Sequence, residues 1–347
     1  MNNKLIIFIV ILLIAMYGCA HTTENTTGEI KTPENGAVYE ETLENGLRVL
    51  IIKDRNAPLA VFEIWYNAGS INEQVGKTGL SHLLEHMMFK GTLRYGSKVF
   101  SKVIGKAGGI DNAGTSHDYA YYFQKLAPDR LDLSIEMEAD RMRNLIMDNA
   151  DFLSERDVVM EERRMRYEDD PQNLVFEEVV ATAFKNNPYR WPVIGWMEDL
   201  RNVTRDDLMD YYLKHYIPNN AFIVIAGNVD VPEVMAKIKS EFGPIPKGPE
   251  IGKLNIQEPD QKGEKRVYIN KEAELPYVIS AYKTPNVLDP DSYALDVLAG
   301  VLSGGKSGRI YRSLVDEKRI ALSAGAGYSN FNKFPFIFYL EGTPLPG

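Results

Sequence analysis

The sequence predicts an α+β protein made of two related units, on three observations. Strand-like and helix-like segments come in groups instead of alternating singly, which disfavours a doubly wound sheet. A stretch rich in Gly, Pro and charge, including Gly243-Pro-Ile-Pro246 and Gly248-Pro249, parts the chain between Phe242 and Lys265. Beyond it, the order of elements faintly repeats the order before it. With 347 residues, 44% hydrophobic and 25% charged, there is chain enough for one large domain or two of medium size. The formal net charge of -9 argues against a general nucleic-acid role, which needs a basic face.

From the start of the chain, Lys4 precedes an unbroken apolar run, Leu5 to Tyr17, and then Cys19, the single cysteine. That run is too short for a comfortable transmembrane helix, and one cysteine rules out an intramolecular disulfide. Met16-Tyr17-Gly18-Cys19 resembles a bacterial lipobox. Residues 1–19 are therefore expected to be a signal peptide, with Cys19 lipidated and the protein exported to the periplasm or cell envelope. A cleaved soluble protein and a retained membrane anchor are the alternatives. Residues 20–36, polar and Thr-rich, read as a tether.

A first unit is expected over 37–242. Tyr39 to Leu43 and Leu47 to Ile52 flank Glu44-Asn45-Gly46, a hairpin signal. Leu59 to Tyr66 reads as a third strand, and a helix from about Leu80 to Lys90 is ended by Gly91. A short helix near Ser97 to Lys106, two strands within Ile110 to Leu126, and helices from Pro128 to about Lys185 follow. Thr204 and Asp207 form a capping-box pattern opening a helix that runs to about His215. An apolar strand, Ala221 to Ala226, and a helix after Pro232 complete the unit. After the linker, 243–264, a second unit at 265–347 is expected to hold strands at Arg266–Asn270 and Tyr277–Tyr282 and helices at Asp291–Leu302 and Arg309–Glu317. It reads as incomplete at Gly347, which would leave open strand edges.

Chemistry concentrates at His82-Leu-Leu-Glu85-His86. Histidines four apart on a helix share one face, with Glu85 beside them, and this is metal-ligand spacing. Chance would produce roughly 0.006 such patterns in a chain of this composition. A catalytic zinc wants three protein ligands and an open position. On a later helix, read as capped by Asp151, Glu155 and Glu162 lie seven apart, separated by only ~20° around the axis, while Glu161 faces roughly 100° away from Glu162. Glu162 is thus taken as the third ligand and Glu155 as a residue orienting an imidazole. The competing reading is a solvated charged face in which Arg156, Arg163, Arg164 and Arg166 pair with these acids. In the second unit the matching helix carries no histidine.

These residues resemble the pitrilysin/insulinase family of metallopeptidases, most closely its bacterial members related to mitochondrial processing peptidase. Gly79-Leu-Ser-His82-Leu-Leu-Glu85-His86-Met-Met-Phe-Lys-Gly91-Thr92 is similar to the family's inverted zinc motif. Asn112-Ala-Gly-Thr-Ser116 with Asp118 and Tyr121 resembles its substrate-pairing strand, and Glu155 to Glu162 its distal acidic motif. Asn187-Pro-Tyr189, Gly195-Trp196 with Asp199-Leu200, and Pro218-Asn-Asn-Ala221 leading to Gly227-Asn-Val-Asp230 follow the family pattern as well.

The resemblance implies two α+β halves of a clam shell around an unfolded peptide, a Zn2+ cofactor, and Glu85 as general base, taking a proton from water and returning it to the leaving amine. It also implies that the substrate backbone pairs near Asn112 and Ala113. His117 and His215 are expected to be non-ligands. Many family members carry an Arg and, seven residues on, a Tyr in the second half, where this chain has Val315 and Leu322. A homologous partner subunit supplying that pair is therefore expected. Alternatives to a peptidase are a non-catalytic assembly subunit and a peptide-binding protein.

Overall fold

The computed structural model describes residues 36–346; the expected signal peptide with Cys19 and, apart from Gly36, the expected tether lie outside the described residues. Two antiparallel strands come first, β1 (Val38–Thr42) and β2 (Arg48–Lys53), then β3 (Ala60–Tyr66). Helices α1 (Leu80–Met88) and α2 (Val99–Lys106) lead into the hairpin β4 (Ile110–Thr115) and β5 (Ala120–Leu126). Next come α3 (Leu131–Asn144), α4 (Asn149–Arg163) continued by a π turn over Arg164–Glu168, and α5 (Pro171–Ala183). Helices α6 (Met197–Asn202) and α7 (Arg205–His215), strand β6 (Ala221–Gly227) and helix α8 (Val231–Phe242) follow.

Six strands form one sheet in the order β1-β2-β6-β3-β5-β4, so β6 lies between β2, its parallel partner, and β3, its antiparallel one. Alternation along the strands sorts the side chains. Phe62, Ile64, Tyr66, Tyr122, Ile223 and Ile225 are buried, each such side chain contributing about 1.5–3 kcal/mol. Trp65, Tyr121, Phe123 and Phe222 point the other way and stay partly exposed.

A second sheet, ordered β7-β9-β8, is built from β7 (Val278–Thr284), β8 (Ala321–Tyr328) and β9 (Phe336–Pro344). Between β7 and β8 lie α9 (Asp291–Ser303) and α10 (Arg309–Tyr311), the latter continued by a π turn over Arg312–Glu317. The run β7-α9-α10-β8-β9 has the same order, and the same sheet neighbours, as β3-α1-α2-β4-β5.

Two sequence expectations are corrected. No strand forms at Arg266–Asn270; that segment is largely exposed and held by Lys265 and Lys271, whose ammonium groups donate to the carbonyls of Thr182 and Glu168. β-branched residues there do not suffice without a ladder to join. The cap of α4 is Asp148, not Asp151: Asp148 has extended backbone and accepts from Ala150 N–H at 2.8 Å, which places Asp151 inside the first turn. Among the described residues no helix is long and apolar enough to cross a membrane.

Candidate metal centre

Helix α1 starts at a left-handed glycine, Gly79 (φ 92°), which offers no capping side chain. A Cβ there would sit 2.6 Å from the Ile194 carbonyl oxygen, and one on Gly195 2.5 Å from Gly79 N, so both positions require glycine. Glu73 supplies the cap from outside the helix, accepting the Gly79 N–H at 2.8 Å and the Ser81 N–H at 2.7 Å. Burial pushes its carboxyl up to about 8. Asp199 accepts both the backbone N–H and the hydroxyl of Thr78. The first turn of α1 is thereby fixed against two other segments.

One turn apart on α1, the His82 and His86 rings lie 4.9 Å from each other. Glu162, near the end of α4, places Oε2 3.7 Å from His82 Nε2 and 3.5 Å from His86 Nε2. One donor atom from each of the three lies within 4.8 Å of the others. Zinc bonds to N and O of about 2.0–2.2 Å allow two ligand atoms on one ion to stand at most about 4.3 Å apart, and the 3.7 Å and 3.5 Å separations of Glu162 Oε2 from the two Nε2 atoms fall within that reach. Burial, reinforced by His86 and Arg166, pushes His82 down to about 3 and keeps its imidazole neutral, as a ligand must be.

Glu155, one helical repeat before Glu162, meets His86 Nδ1 at 3.1 Å, where it accepts that N–H and turns Nε2 toward Glu162. Lys90 Nζ lies 2.5 Å from the other Glu155 oxygen. Burial opposes ionisation of Glu155, but Lys90 and His86 outweigh it and hold the carboxyl below its ordinary range. Glu85 accepts a hydrogen bond from the Thr115 hydroxyl at 2.5 Å. Burial raises the Glu85 carboxyl, with Thr115 and His86 acting against the rise.

The four arginines divide. Arg166 pairs with Glu162 through Oε1 at 2.6 Å, leaving Oε2 toward the imidazoles. Arg164 pairs with Glu161, Arg163 with Glu177 and Arg156 with Asp157. Asn112 and Ala113 lie on β4, an edge strand whose outer side pairs with nothing among the described residues. Neither His117, whose Nδ1 is 2.8 Å from Ser70 Oγ, nor His215, packed on Tyr211, belongs to the metal cluster. Val315 lies in the π turn and Leu322 on β8, more than half exposed.

Sequence reasoning missed Glu73, Thr115 and Lys90. Lys90 stands four residues after His86, so helical spacing could have found it. Thr115 sits two past Ala113 on the same strand face, also a readable signal. Glu73 reaches α1 from a loop and has no periodic signature.

Residues 48–195 match the family model described as Insulinase (Peptidase family M16), and residues 202–345 the one described as Peptidase M16 inactive domain. A zinc protease of Helicobacter pylori, PqqE, is 34% identical over 87% of this chain and 69% of its own length. An Arabidopsis thaliana protein named "Probable mitochondrial-processing peptidase subunit beta" is 31% identical over 75% of this chain and 49% of its own. The crystal structure of a protease from Helicobacter pylori superposes with a TM-score of 0.86 at 32% identity, covering 90% of this chain and 76% of that one.

Proposed function

Because the chain belongs to the insulinase family of peptidases, family M16, we propose that it is a zinc-dependent endopeptidase acting on unfolded peptides or protein segments. The cofactor is zinc, held by His82, His86 and Glu162 in the unit spanning 37–242. The observation that carries the reading is the convergence of the two Nε2 atoms on Glu162 Oε2, with Glu85 on the same helix. When bound, zinc supplies Lewis acidity, acidifying water and polarising a peptide carbonyl. Glu85, its carboxyl raised by burial and steadied by Thr115, takes the proton from the attacking water and passes it to the leaving amine. Glu155 keeps His86 aimed. A substrate strand added along Asn112 and Ala113 is held by backbone bonds, which bind without demanding sequence.

Val315 and Leu322 stand where many relatives have Arg and Tyr, so a homologous subunit supplies that pair; full efficiency from the purified chain alone would remove the partner. Export and lipidation at Cys19 belong to the same reading, and undiminished fatty-acid labelling of a Cys19→Ala variant would refute the anchor. The central test is the zinc content of the purified protein beside Glu162→Ala. About one zinc per chain is expected, sharply reduced in the variant. A folded wild-type chain that takes up no zinc even when metal is added would sink the catalytic reading in favour of an assembly or peptide-binding subunit.

A further inference from the structure

The mechanism leaves unused an aromatic group on the face of the large sheet opposite its core. Tyr121 on β5 stacks on Trp65 of β3, ring centroids 4.5 Å apart and planes within 14°, and Phe123 continues the row at 6.3 Å. Tyr121 is the register partner of Gly114 on the edge strand β4. A Cβ on Gly114 would stand 2.7 Å from Tyr121 Cε1 and 3.1 Å from both Cζ and Oη, so the far end of the ring lies across β4 itself. With glycine there, no β4 side chain stands between the ring and whatever pairs with the outer side of β4.

The same pair recurs in the second sheet, and the difference is informative. Gly327 on β8 faces Tyr339 on β9, and a Cβ on Gly327 would collide with the Tyr339 ring. There the tyrosine packs edge-on against Phe176 of α5 and joins the cluster of Val180, Phe184 and Ile337. That pair serves packing. The ring neighbours of Tyr121 are Trp65, Tyr119 and Phe123, all partly exposed or exposed.

We propose that Tyr121, backed by Trp65, determines specificity by receiving a large apolar or aromatic side chain of the substrate residue that pairs opposite Gly114. The inference rests on the reading of β4 as the peptide-pairing strand. Directly opposed residues on neighbouring strands point to the same face, so the residue opposite Gly114 points toward Tyr121, while its neighbours along the strand face Thr115 and Glu85. The charges beside the shelf are engaged with their surroundings. Glu63 accepts the Trp65 indole N–H at 2.9 Å and faces Lys125, whose ammonium lies over Phe123. Selection is therefore by apolar and aromatic area rather than by charge.

The test uses the full chain carrying Glu85→Gln, which removes the base so that peptides are held without being cut. Labelled extended peptides of one parent sequence, each position set in turn to Ala, Phe or Asp, are titrated and Kd read by fluorescence anisotropy. At one position Phe is expected to bind about tenfold more tightly than Ala, with Asp weaker still. Adding Tyr121→Ala should reduce that preference to less than about twofold, and Tyr121→Phe should keep it, which a merely structural tyrosine would not produce. Peptides that bind with no position at which Tyr121 alters the ratio would overturn this inference and leave the peptidase reading standing. If no peptide binds saturably, strand addition at β4 fails and the inference with it, while the zinc measurement still judges the metal site separately.

Discussion

Helices α1 and α9 occupy the same place in two runs of identical order, yet they share almost nothing in environment. In α1 every residue but Glu85 and His86 is buried, whereas in α9 Ser292 alone is. Tyr293 and Val297 of α9 are about two-thirds exposed. The two helices share their place in the order of elements, but among the described residues the candidate metal ligands gather on the enclosed one. Only a helix packed on several sides by α4, α7 and the β4 edge can hold an imidazole desolvated and neutral beside a carboxylate.

Substitutions on each helix in turn should separate the two environments most widely. His82→Ala should abolish peptide hydrolysis, by at least about 10³-fold, and remove bound zinc; Val297→Ser on α9 should leave metal content unchanged and stability within about 0.5 kcal/mol. Equal losses from both, by metal analysis and calorimetry, would refute the division. A smaller effect is expected one layer out from the metal. Glu155→Gln should weaken zinc binding by about 10–100-fold, since His86 loses its anionic acceptor; competition with a chelating dye reads this directly.

Next come the paired tyrosines. Tyr339→Ala should cost about 2 kcal/mol in denaturant unfolding, because it leaves a gap under Phe176, and should not alter peptide preference. The smallest effect belongs to Glu258, which ties the segment before β7 to the loop after α5. Its carboxylate accepts the N–H groups of Lys185, Asn186 and Asn187 and meets Lys283 Nζ at 3.1 Å. Partial burial opposes ionisation, but the three N–H groups and Lys283 prevail and hold its carboxyl down to about 2. A folded-state value below the unfolded one stabilises above the unfolded range, near 4.3, and the gain is lost as pH falls through about 2. Glu258→Gln should therefore lower Tm by about 2 °C at neutral pH, with the gap closing as the solution is acidified. A gap independent of pH would show that the carboxylate charge is not what matters.

Much of the metal site was legible because helices print their geometry on the sequence. Spacing of four placed His82 and His86 on one face, and spacing of seven aligned Glu155 with Glu162. What remained hidden depended on contacts without a period. Glu73 caps α1 across a loop, and no spacing announces it. Val267 and Ile269 look like strand residues, but pairing is decided by a neighbouring edge, which sequence alone does not display. The hairpin at Asn45 and the capping box at Thr204 could be read because each is closed within a few residues; the box forms with Thr204 bonded to Asp207 in both directions.

Strand β6 also sets a schedule. Among the described residues it alone joins the β1-β2 ribbon to the β3-β5-β4 sheet, and its register partners in β2 lie some way back along the chain, Arg48 meeting Phe222 and Lys53 meeting Gly227. Until β6 arrives, the two pieces have no shared edge, and closing so long a loop is slow. Helix α1 precedes β6 in the chain by more than a hundred residues, and the sheet can be completed only after the chain has been made as far as Gly227. During that interval β2 and β3 each present an edge that β6 later covers, and such open edges can pair with other chains.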